Sequence, residues 1–98
     1  MTNIPKDLSD AGLKAAEVIL KIVGNVDGFI SPSEWKERGE EHGLSAELIV
    51  VHSNAKLGPY FSMDYDNPTK YDHMADELQK IGMYSYVCTS GVSGIYLD

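Results

Sequence analysis

An α+β fold, with two N-terminal helices followed by a ββαββ unit carrying a small antiparallel sheet, is predicted by three features of the sequence. Apolar residues recur at helical spacing from Leu13 to Val23, and Ser31-Pro32 marks a second helix start just beyond. Asn67-Pro68 opens a third helix with its own apolar stripe. After it, two strand-like segments flank Ser90-Gly91, a good two-residue turn.

Taken in order, residues 1–6 are expected to fray, because Pro5 holds Ile4 extended and nothing yet invites a helix. The first helix begins after Asp7 or Ser9. Leu13, Ala16, Leu20 and Val23 form its stripe, Ile19 widens it, and Gly24 ends it. Residues 25–30 read as a loop. The second helix, from about Pro32 to His42, has a Ser31 cap, a proline at its first position and Glu34 placed to close a capping box. Trp35 is its one large apolar side chain, so the helix docks through that indole.

Glu47 to His52, rich in β-branched residues, reads as a strand, and Tyr60 to Tyr65 as a second strand forming an antiparallel hairpin with it. The third helix buries Tyr71, Met74, Leu78 and Ile81 and stops at Gly82. Tyr84 to Thr89 and Val92 to Leu97 are the last two strands. Alternation puts Phe61, Met63, Val87, Ile95 and Leu97 on one sheet face. It puts Tyr60, Tyr84, Tyr86, Cys88, Val92 and Tyr96 on the other. Both faces are apolar, so either the N-terminal helices cover the tyrosine face or another molecule does. A homodimer follows as an expectation, since two-fold pairing is the common cover for such a face.

Ninety-eight residues suit one domain, 1–98, and 43% hydrophobic against 23% charged residues is an ordinary globular balance. The lone Cys88 allows no internal disulfide, and no signal-like or membrane-spanning run is visible, so a cytoplasmic setting is expected. Net charge is −7, from 15 acids and 8 bases spread over both halves of the chain. A field of that sign disfavours nucleic acid phosphates and anionic lipid and favours a protein partner with a basic surface.

Gly24 to Glu34 resembles the calcium loop of an EF-hand. With Gly28 on the obligatory glycine, Asn25 and Asp27 match the third and fifth positions and Glu34 the twelfth, while Val23 stands where the family has its first Asp. The resemblance implies a cation held by Asn25, Asp27 and Glu34. Capping by Ser31 and Glu34 and a turn at Asp27-Gly28 account for the same residue types without a cation, and that reading is preferred. A second acidic group, Asp64, Asp66, Asp72, His73 and Asp76, surrounds the start of the third helix. Carboxylates with a histidine suit a metal, but aspartates near a helix N-terminus are stabilised by its dipole alone.

Cys88 reads as a small buried hydrophobe, and neither His42 nor His52 has a visible acid–base partner. No nucleophile, general base or phosphate-binding glycine run emerges, so no enzyme and no cofactor is expected. The leading expectation is a small non-enzymatic interaction protein. It presents Asp64, Asp66, Asp72 and Asp76 with Tyr60, Tyr84, Tyr86 and Tyr96 to a protein partner. In size and charge the chain is similar to the small acidic, anti-CRISPR-like inhibitors that bacteriophages make against host defences. That likeness is one of character, with no motif behind it. The alternative expectation is a cation-binding module built on 23–34.

Overall fold

The computed structural model describes residues 4–24, 28–39, 45–53, 56–62, 68–89 and 91–98, with 88 and 89 described by their backbone. Within them the chain is mixed α+β. Helix α1 spans Asp10–Val23, strand β1 Phe29–Ile30, helix α2 Pro32–Glu37 and strand β2 Leu48–Val51. Helix α3 spans Gly58–Phe61, helix α4 Pro68–Lys80, strand β3 Met83–Thr89 and strand β4 Val92–Leu97. The four strands form one antiparallel sheet in the order β1-β2-β4-β3.

Strand β2 sits centrally, between β1 and β4, because Leu48, Ile49 and Val50 are all fully buried: a continuous apolar run suits a strand covered on both faces. The expected hairpin between β2 and a strand at Tyr60 to Tyr65 does not form. Pro59 instead starts a short helical turn, closed by the Ser62 N–H donating to the Gly58 carbonyl at 2.8 Å, and residues 63–67 lie outside the described residues. β1 was expected as loop, since two residues show no alternation. They are ordered by the β2 ladder, which pairs Phe29 with Val50 and Ile30 with Ile49. The β3–β4 hairpin forms as expected, with a bulge between Val87 and Thr89.

Helix α2 ends earlier than expected. Gly39 takes φ 85°, which only glycine adopts without strain, and the expected continuation to His42 reaches into residues outside the description. Helix α1 keeps its expected length but is rotated. Gly12, Ala15, Ala16 and Ile19 are buried, while Leu13 is 40% exposed and Leu20 and Val23 only half-buried. Close approach explains the rotation: a Cβ on Gly12 would lie 2.2 Å from the Glu47 carbonyl oxygen, so only small side chains fit where the helix crosses the start of β2.

Two layers of helix flank the sheet unequally. On one face α1, α3 and α4 close a core of Ile19, Leu48, Leu57, Phe61, Met74, Leu78 and Ile95. On the other, α2 is the one helix that contributes among the described residues, through Trp35, which packs with Ile30, Ala46, Ile49 and Val92. The expectation that both N-terminal helices cover the tyrosine face is thereby corrected: α1 joins α4 on the opposite one. Among the described residues no helix is long and apolar enough to cross a membrane.

Candidate functional site

Among the described residues strand β3 is the terminal strand of the sheet, and its tyrosines stand on the face to which α2 contributes. Pairing of Tyr84 with Tyr96 and of Tyr86 with Gly94 places all three rings on one side, as alternation predicts. Tyr84 and Tyr96 stack with centroids 5.5 Å apart and planes 22° apart. Gly94 makes room for this arrangement, since a Cβ there would meet the Tyr96 ring at 2.9 Å. Tyr86 is 66% exposed and Tyr84 46%. Val87 and Leu97 are exposed on the opposite parity, so four of the five exposed large apolar side chains among the described residues belong to the β3–β4 ribbon. The cluster around Trp35 extends to the half-buried Tyr96, the ring on which Tyr84 stacks.

The structure separates residues that the sequence grouped as one partner-binding surface. Tyr60 is on α3, packed at the helical core with the Lys70 ammonium 5.5 Å from its ring centre, and so belongs to the other side of the sheet from Tyr84, Tyr86 and Tyr96. Asp72 and Asp76 are exposed on α4, also on the far layer. Nearby, Glu77 pairs with Lys80. That contact draws the Glu77 carboxyl below and the Lys80 ammonium above their ordinary values. Asp64 and Asp66 lie outside the described residues. The acidic and aromatic surfaces are thus two surfaces, joined at the edge of the sheet: Tyr71, Ala75 and Gln79 of α4 line an open cleft of about 240 Å³ with Met83, Tyr84, Ser85 and Asp98.

At the EF-hand-like loop, Asn25 and Asp27 lie outside the described residues. Glu34 does not close the expected capping box with its carboxylate, which turns to Arg38 one helical turn on, at 3.5 Å. The other half of the box is present. Ser31 accepts from the Glu34 N–H at 3.2 Å and donates to Asp7 at 3.0 Å, tying the N-terminal segment to α2. Gly28 has φ 122° and lies against the Val51 carbonyl, so a packing need accounts for that glycine. No group of three or more metal-binding side chains occurs among the described residues.

Sequence reasoning missed His52, which is no strand-end bystander but a buried ring sharing a 2.8 Å hydrogen bond with Ser93 and stacked on Phe61. Burial lowers its pKa, because the charged ring loses solvation. Enclosed beneath α3 as it is, the pair is part of the core. The expected placement of Cys88 as a buried hydrophobe falls on a side chain outside the description. In comparisons with known proteins, no family model, no curated protein and no solved structure matches the chain significantly.

Proposed function

We propose that this chain is a small acidic, non-enzymatic protein-interaction module, acting on a protein partner with a basic surface. One observation carries the reading: among the described residues, exposed large apolar side chains gather on the β3–β4 ribbon, Tyr84 and Tyr86 together on one face and Val87 and Leu97 on the other, and a grouped exposed apolar patch such as the tyrosine pair marks a binding surface. Tyrosine suits this role, having an apolar body and a polar tip that tolerates a partly wet contact. The net charge of −7 adds long-range attraction for a basic partner, which raises encounter rates more than it raises affinity. The narrower reading, an inhibitor or adaptor of the phage anti-defence kind, draws its support from size and charge alone.

Affinity capture from the source cell's lysate tests the proposal, using the wild-type chain beside Tyr86→Ala and a double variant, Asp72→Lys with Asp76→Lys. A partner held by the wild type, lost with Tyr86→Ala and weakened by salt and by charge reversal supports it. Identical capture by all three proteins contradicts it.

A further inference from the structure

We infer that one partner of this surface is a second copy of the same chain, joined edge to edge through β3 so that the sheet runs continuously across a two-fold axis at Ser85. The inference rests on the reading of the β3–β4 ribbon as an interaction surface and names what docks along its edge.

Backbone direction comes first. The Asp98 N–H donates to the Gly82 carbonyl at 2.8 Å, and the His52 N–H to the Gly91 carbonyl at 2.7 Å. In an antiparallel ladder the direction of the backbone groups alternates. The first bond therefore turns Gly82, Tyr84 and Tyr86 toward β4. The second turns Gly91, Ser93 and Ile95 toward β2, which leaves Gly94 and Tyr96 facing β3, in agreement. Met83, Ser85 and Val87 consequently direct their N–H and carbonyl groups away from β4, and the sheet has no described strand beyond them.

Those outward groups select a register. Symmetric antiparallel pairing about Ser85 sets Ser85 against itself and Met83 against Val87 of the other copy, so every outward donor meets an outward acceptor. Tyr84 of one copy then faces Tyr86 of the other on the open face. The Tyr96–Tyr84 stack is extended across the axis in both directions.

Charge decides that a like copy can occupy the edge. From Ile81 to Leu97 there is no Asp, Glu, Lys, Arg or His, in a chain where such residues are otherwise spread throughout. Natural edge strands are commonly guarded by lysine, proline or an inward charge, and β3 has none of these. Uncharged side chains continue onto α4, where Tyr71, Ala75 and Gln79 stand one turn apart and line the same cleft as Met83 and Ser85, with Asp98 the one charged residue in that lining. Two copies carrying −7 each repel through the rest of their surfaces, but screening over about 10 Å at 0.1 M salt leaves a neutral seam able to close. Tyr71, Ala75 and Gln79 share their cleft with Ser85, so a two-fold there puts this stripe of α4 beside the axis, and Ala75 is its small, exposed side chain.

Sedimentation equilibrium of the purified chain at micromolar concentration tests this. The expected mass is twice the 10.8 kDa of one chain. Ser85→Pro removes an outward N–H while leaving the bonds to β4, and Ala75→Glu sets two carboxylates against each other across the axis. Each variant is expected to sediment as a monomer with an unchanged circular dichroism spectrum. If Ser85→Pro fails to fold, Ala75→Glu decides alone. A wild-type chain that stays monomeric as concentration rises, or a dimer that Ala75→Glu leaves intact, overturns the inference. Purified protein alone is used, so a monomer would remove the self-pairing without touching capture of a different partner.

Discussion

His52 and Ser93, brought together from β2's end and β4, share a 2.8 Å hydrogen bond in a site where neither is more than 2% exposed, under the stacked ring of Phe61. The pair makes stability depend on pH. Burial holds the folded pKa of His52 below its ordinary 6.5, so between the two values the unfolded chain binds a proton that the folded one refuses. Stability from this residue is therefore full above 6.5 and falls as pH drops through 6.5 toward the folded value. Urea denaturation at pH values above and below 6.5 checks it, and His52→Gln, which can still bond Ser93, is expected to flatten that part of the slope.

Ser31→Ala is expected to cost about 1 kcal/mol or somewhat more, the usual loss for an N-cap. Two bonds are broken, the one from the Glu34 N–H and the one to Asp7. Asp7→Ala breaks only the second, so its denaturation midpoint should fall between those of the wild type and Ser31→Ala.

Gly12→Ala is expected to destabilise although it lies in a helix. Alanine gains about 1 kcal/mol of helix propensity over glycine. Against that, the new Cβ would stand 2.2 Å from the Glu47 carbonyl oxygen, which is backbone and cannot swing aside. Overpacking of this kind costs about 1–3 kcal/mol, so the net effect is a loss, read as a lower midpoint in chemical denaturation.

What the sequence made legible was whatever rests on local period and turn chemistry. The β3–β4 hairpin, the Met74 and Leu78 stripe of α4, and the strand at Leu48 to Val51 are of this kind. Misreadings arose where a tertiary neighbour decided. Tyr60 and Phe61 have strand propensity, yet Pro59 starts a helical turn whose Phe61 packs on His52. Leu13 fits the helical stripe, yet the close crossing at Gly12 rotates it outward. Among the suggested partner-binding residues, alternation correctly put Tyr84, Tyr86 and Tyr96 together, but only the course of the chain separates them from Tyr60, Asp72 and Asp76. The uncharged run from Ile81 to Leu97 is plain in the sequence, but its meaning depends on β3 lying at the edge, which strand order alone reveals.

Amide hydrogen exchange along β3 tests most directly the claim that this edge is where the protein is bound. The Tyr84 and Tyr86 amides face β4 and should exchange slowly whether or not anything is docked. The Ser85 and Val87 amides face outward, and the account predicts that they too are protected at micromolar concentration and lose that protection on dilution or in Ala75→Glu. Rapid exchange at Ser85 and Val87 at every concentration, beside slow exchange at Tyr84 and Tyr86, would show an edge open to water and contradict it.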